Sequence, residues 1–246
     1  MTTTFAGMTA LVTGATSGIG QAVALKLAQL GAEVIVHGRD AGRGAATVQQ
    51  IQEAGGAARF IGATLTDPDE VRRLAAEAGA VDILINNAGI YKFGLSADVD
   101  DAFFDDHFNV NVRAPHILVQ QLAPGMAERG RGSIVNLSSV VATTPARAGG
   151  IYGASKAAVE LLTRVWADEF GRAGVRVNAV QAGPTETPGT DALPGLAEAL
   201  GNLTTLGRPA SVTEIANAIV FLASSDASYI NGAVLQATGG QAAIAA

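Results

Sequence analysis

The sequence predicts an α/β fold, a doubly wound parallel sheet with helices on both faces. Three observations lead there. Short, continuous apolar runs alternate with longer segments of helical periodicity, the pattern of strands buried on both faces and crossed over by helices. The first run ends in three closely spaced glycines that open a helix, Leu11-Val12-Thr13-Gly14-Ala15-Thr16-Ser17-Gly18-Ile19-Gly20. The 246 residues are 48% apolar and 15% charged, enough for one large core, and no linker-like segment divides them. Residues 1–246 therefore read as one domain.

In chain order, Met8 to Val12 is the first strand and Ile19 to Leu30 the first helix. Glu33 to His37 and a segment near Ala57 to Ala63 are strands, separated by a helix from Ala41 to Ala54. Asp67-Pro68 opens a short helix, Asp capping and Pro fitting the first turn. Val81 to Ile85 is the fourth strand, followed by one long helix, Asp101 to Ala123. Ser133 to Leu137, a helix from Gly150 to Arg172, and Val175 to Val180 come next. A helix from Val212 to Leu222 and a strand near Ala233 to Gln236 complete seven strands. The segment 182–209 has no strand signal and reads as a mobile lid or substrate wall.

Composition narrows the function. The net charge of −6, without a basic cluster, argues against nucleic acid. There is no cysteine, hence no disulfide or thiolate metal site. His37, His107 and His116 lack ligand spacing, so no metal is expected. The first basic residue is Lys26 and no apolar run is long enough to span a bilayer. The expectation is a soluble cytoplasmic protein without a membrane partner.

The glycine turn has the makings of a phosphate cradle. Gly14 permits the tight turn, Gly18 lets a pyrophosphate approach the backbone, Gly20 lets the helix pack close, and the helix N-terminus offers unpaired N–H groups. Polar clusters fall at two further strand ends, Asn86-Asn87-Ala88-Gly89 and Ser138-Ser139, where open α/β sheets bind ligands. Asn and Ser also simply form turns there. Tyr152 and Lys156 lie four apart on one helix face. Alone they fit an ordinary helix surface. Chemically, an ammonium lowers a neighbouring phenol's pKa and suits it to exchange a proton with a carbonyl oxygen, to which Ser139 could donate a hydrogen bond.

Together, Thr13-Gly14-x-x-x-Gly18-Ile19-Gly20, Asn86-Asn87-Ala88-Gly89, Asn111, Ser139, Tyr152-x-x-x-Lys156 and Asn178-Ala179-Val180 make the chain similar to the short-chain dehydrogenases/reductases, over nearly its whole length. The resemblance to 3-oxoacyl reductases is general. It implies a Rossmann-type seven-stranded parallel sheet of order 3-2-1-4-5-6-7, a nicotinamide dinucleotide and a homotetramer. It further implies that Tyr152 is the general acid or base, that Lys156 lowers the tyrosine pKa and binds the nicotinamide ribose, that Ser139 polarises the carbonyl, and that Asn111 holds a relay water. Cofactor contacts are expected from Gly14, Thr16, Ser17, Gly18, Ile19, Gly20, Asn87, Ala88, Gly89, Tyr152, Lys156, Gly183, Thr185 and Thr187, and from Thr64 and Leu65 near the adenine.

Members specific for NAD carry an acid near the end of the second strand; here that position is Gly38, and Arg39 follows, suited to a 2′-phosphate. NADPH is therefore expected, with NADH as the alternative. Three positions depart from the family pattern: Thr64 and Thr238 stand where aspartates are common, and Ala182 replaces a proline. The expected reaction is metal-independent hydride transfer between NADPH and a carbonyl or secondary alcohol. An NAD-dependent alcohol dehydrogenase, or a catalytically silent dinucleotide-binding regulator, are the alternatives. Ile90, Tyr91, Phe93, Val140, Val141, Pro188, Leu193, Pro194, Leu196, Leu200 and Leu203 suggest an apolar substrate wall, and Lys92 and Arg147 read as exposed charges.

Overall fold

The structure, a computed structural model, describes residues 4–190 and 195–240. Seven strands form one sheet: β1 (Thr9–Val12), β2 (Glu33–Gly38), β3 (Ala57–Gly62), β4 (Ile83–Asn86), β5 (Gly132–Ser139), β6 (Val175–Ala182) and β7 (Val234–Ala237). All pairings are parallel, in the order β3-β2-β1-β4-β5-β6-β7, as expected. The connections reverse direction between β1 and β4, and a crevice opens there at the carboxyl ends of the strands.

Successive strand residues serve opposite layers. Val12, Val36 and Ile85 face a core with Val23 and Leu27 of α1 (Gly18–Gln29), Ile51 of α2 (Ala41–Glu53) and Ile219 of α8 (Val212–Ala223). Leu11, Ile35 and Leu84 face the other, with Leu74 of α3 (Pro68–Ala78), Leu118 of α5 (Ala114–Glu128) and Trp166 of α6 (Gly150–Gly171). Each such side chain contributes roughly 1.5–3 kcal/mol relative to exposure. This two-sided burial is why the strands read as unbroken apolar runs.

Two departures from the sequence reading matter for function. The helix expected from Asp101 to Ala123 is interrupted: α4 (Asp101–Phe108) ends in a π-helical turn, Asn109–Arg113, before α5 begins. Pro115 has no N–H to give the Asn111 carbonyl four residues back, so the α-helical ladder opens there. The segment 182–209 is also less irregular than expected, with a short helix α7 (Leu196–Gly201) and a bridge joining Thr185 to Ala210. Leu193 and Pro194 lie outside the described residues. Among the described residues no helix is long and apolar enough to cross a membrane.

Candidate active site

The glycine turn leaves β1 and runs into α1. Gly14 and Gly18 both have positive φ, +64° and +56°, a backbone that favours glycine. Asn87 anchors the turn from β4, its Nδ2 donating to the Thr13 carbonyl (2.8 Å) and the Gly14 carbonyl (3.2 Å). The Thr13 hydroxyl in turn accepts from the N–H groups of Asn87 and Ala88, both 3.0 Å. Ile19 packs against the core at the head of α1.

This turn fits a dinucleotide. The N-cap Ser17 makes no side-chain capping bond and the first turn of α1 holds no acid, so its N–H groups and partial positive charge face outward for an anion. The segment after β6 brings Thr187 to the same place: a Cβ built on Gly18 would lie 3.6 Å from the Thr187 Cβ. Buried Thr185 bonds the Gly183 carbonyl at 3.0 Å. A Cβ on Gly183 would lie 2.8 Å from the Thr238 Cα, so the residue that follows Ala182 packs directly on Thr238.

At the end of β2 the space beside the strand is already filled. A Cβ on Gly38 would fall 2.5 Å from the Thr16 methyl. Thr16 therefore occupies the space an acidic side chain would need, and exposed Arg39 comes next. That pair suits a ribose phosphate better than ribose hydroxyls. Thr64 is exposed just past β3, and Leu65 is buried beside it.

Across the crevice, Ser139 is the last residue of β5, and Tyr152 and Lys156 stand on the first turns of α6. Burial pushes the Tyr152 phenol above its ordinary value, while the Ser139 hydroxyl beside it acts the other way. This corrects the expectation of an acidified phenol. The Lys156 Nζ is bonded to the Leu137 carbonyl at 2.7 Å and is itself lowered by burial to about 8. Gly89 passes between two polar groups, since its Cβ would lie 3.1 Å from the Asn111 Oδ1 and 3.3 Å from the Lys156 Nζ.

The π-helical turn presents Asn111 inward. Its amide exchanges two hydrogen bonds with the Ile90 backbone, both 2.9 Å, and donates to the Ser155 hydroxyl at 2.9 Å. Ser155 bonds the Tyr152 carbonyl at 2.7 Å. Asn111 thus ties the loop after β4 to the helical turn bearing Tyr152. Tyr91 and Phe93, on that loop, set their rings 6.4 and 6.1 Å from the Tyr152 ring. The Tyr91 hydroxyl rests where a Cβ on Gly189 would be, so the loop meets the segment after β6 over the cleft. Lys92 is paired with Asp106 at 3.0 Å.

Two buried polar groups were not singled out from sequence for this site. His107 is fully buried, donates to the Phe103 carbonyl (2.8 Å) and accepts from the Lys92 N–H (3.2 Å), holding the Tyr91 loop. Glu160, one turn beyond Lys156, accepts from Ser138 at 2.6 Å and Gln181 at 3.0 Å, and Gln181 also donates to Thr143 at 3.1 Å. This clasp joins the ends of β5 and β6 around Ser139. The clue for Glu160 is its spacing, four and eight residues after Lys156 and Tyr152.

Residues 14–242 match a family model described as enoyl-(acyl carrier protein) reductase. A 3-oxoacyl-[acyl-carrier-protein] reductase, FabG, of Thermotoga maritima is 37% identical over 240 residues, covering 95% of this chain and 97% of the relative. A solved structure described as a short chain dehydrogenase/reductase family protein superposes with TM-score 0.91 at 48% identity, covering 96% and 97% of the two chains. A 3-oxoacyl (acyl-carrier-protein) reductase of Agrobacterium tumefaciens, solved with NADP bound, superposes with TM-score 0.91 at 30% identity over 96% and 95%.

Proposed function

The chain belongs to the short-chain dehydrogenase/reductase family, and on that premise we propose that it is an NADP(H)-dependent carbonyl reductase using Tyr152 as the proton donor. The carrying observation is the Ser139 hydroxyl bonded to the Tyr152 phenol at the carboxyl end of β5, with the Lys156 ammonium held by Leu137 two residues before Ser139 and an anion-ready helix N-terminus at the carboxyl end of β1. NADP(H), when bound, supplies a hydride to a carbonyl carbon or takes one from an alcohol. Gly14 to Gly20 hold its pyrophosphate, Arg39 its 2′-phosphate, and Asn87 to Gly89, Gly183, Thr185 and Thr187 its nicotinamide half.

Ser139 donates to the substrate oxygen and fixes its place. Tyr152 gives its proton to that oxygen in reduction and removes it in oxidation. A phenol kept protonated by burial suits the first direction. Lys156, held by Leu137, contributes positive charge that favours phenolate once the proton has left. Asn111 holds the loop of Ile90 and a water leading towards Lys156. The described residues 183–190 and 195–209 form the substrate wall with Tyr91, Phe93 and Val140. With Lys92 engaged by Asp106, that wall favours uncharged, moderately hydrophobic carbonyl compounds over keto acids.

Loss of NADPH absorbance with a panel of ketones, aldehydes, β-keto esters and keto acids tests the reading. Turnover on neutral ketones supports it, and faster turnover of small keto acids would overturn the substrate class. A 3-oxoacyl thioester on acyl carrier protein is the second reading, favoured by the Thermotoga maritima and Agrobacterium tumefaciens relatives. A preference of tenfold or more for the carrier-bound thioester over its simple ester would establish it.

Two quantitative outcomes are expected. Arg39→Ser should raise the KM for NADPH about tenfold, the ~1.4 kcal/mol of one lost charge-assisted contact, and leave that for NADH within twofold. Equal changes for both cofactors would remove Arg39 from phosphate recognition. Lys156 must be charged to act, and its folded pKa is near 8. The kcat/KM for the carbonyl at saturating NADPH should therefore be level below pH 8 and fall above it. A rate still rising at pH 9 would contradict this assignment.

We also propose a homotetramer. Val159 and Trp166 are buried within the chain, whereas Leu161 (60% exposed) and Val165 (41% exposed) face outward on α6, where a second copy would cover them.

A further inference from the structure

His37 joins three strand ends under the adenosine half of the cofactor site, and nothing above uses it. It is the penultimate residue of β2 and 2% exposed. Its Nδ1 accepts from the Gly14 N–H at 3.3 Å, and its Nε2–H donates to the Ala63 carbonyl at 3.1 Å. Each ring nitrogen is used once, one as acceptor and one as donor, which requires the neutral Nε2–H tautomer. We infer that His37 is a positioning residue for NADP(H), setting the spacing between the glycine turn and the Gly38–Arg39 corner and thereby the affinity for the dinucleotide.

The backbone supports the same clamp. The His37 carbonyl accepts from the Ala15 N–H at 2.8 Å, and the Ala63 N–H donates to the Gly38 carbonyl at 3.3 Å. Gly14 is wedged from the opposite side, where a Cβ would lie 3.0 Å from both the Ala88 Cα and the Asn87 Nδ2. The turn is thus gripped between an imidazole and an amide. Removing the imidazole leaves the Gly14 N–H without its side-chain partner and lets Thr16, Ser17 and Gly18 shift relative to Arg39 and Thr64. Burial lowers the imidazole pKa to about 4, so the neutral form persists through the working range. Ser139 and Tyr152 belong to the other half of the crevice, so the consequence falls on cofactor affinity.

The inference rests on the NADP(H) reading, and titration of NADPH fluorescence separates the two. His37→Leu, which removes both bonds, should raise the Kd for NADPH about tenfold. His37→Asn, long enough for the Gly14 N–H but too short for Ala63, should raise it about threefold. His37→Gln, which offers an acceptor and a donor, should recover most of the affinity. In all three, kcat at saturating NADPH and the carbonyl KM should stay within twofold. A Kd unchanged in His37→Leu, or in His37→Asn if the leucine variant does not fold, would overturn the inference. So would equal losses in kcat and carbonyl KM. If the unaltered protein binds NADH but not NADPH, the cofactor choice fails, and the same variants titrated with NADH decide the role of His37.

Discussion

Tyr152→Phe is expected to lower kcat by about 10²- to 10⁴-fold, the range of a lost general acid, with a far smaller change in the NADPH Kd. The substitution removes one hydroxyl and keeps the ring. That ring meets Tyr91 in a tilted contact at 6.4 Å and Phe93 edge-on at 6.1 Å, both of which phenylalanine preserves. The helical turn beneath is fixed by the bond from Ser155 to the residue-152 carbonyl, which does not involve the side chain. A loss in rate would therefore report proton transfer and not a collapsed site. Ser139→Ala should cost less, because it removes a donor that polarises the oxygen and leaves the proton source in place. Full turnover by Tyr152→Phe would exclude the phenol as proton donor.

The fold was legible because the central strands are buried on both faces. Leu11 and Val12 serve opposite cores, so both must be apolar, and the run reads without knowledge of the partner strand. The glycine turn was legible because backbone geometry restricts positions 14 and 18 to glycine. The π-helical turn was missed although Pro115 signals it: helical periodicity continues through the defect, and only the missing donor at residue 115 marks the place. Asn111 was identified through its family pattern, but its bonds to Ile90 and Ser155 depend on two distant segments that no local spacing relates. Tyr152 shows the limit of pairwise reasoning. Its spacing from Lys156 suggested an acidified phenol, whereas burial, a property of the whole fold, dominates and raises it. For His37 and His107 the sequence shows only that they lack ligand spacing. Their hydrogen-bond partners, Gly14 and the Lys92 N–H, show them holding the glycine turn and the Tyr91 loop.

Gly20→Ala is expected to cost about 3 kcal/mol, the upper part of the usual range for overpacking, and to lower the melting temperature by roughly 6–12 °C. Its added methyl would overlap the Asn87 Nδ2 and the Gly14 carbonyl oxygen. Neither can yield cheaply. The amide is already committed to the Thr13 and Gly14 carbonyls, and the carbonyl belongs to the turn itself. Moving either one opens the cradle, so NADPH affinity should fall together with stability. Gly150→Ala is the control, because nothing lies within 4 Å of its Cβ and its φ is not positive. There, at the first residue of α6, the same methyl should be neutral or stabilising by about 0.4–1 kcal/mol through the unfolded chain. Differential scanning calorimetry with and without NADPH separates the two. Equal melting temperatures for Gly20→Ala and Gly150→Ala would mean that α1 can retreat from the sheet at little cost, and the close packing assigned to Gly20 would not be what holds the turn in place.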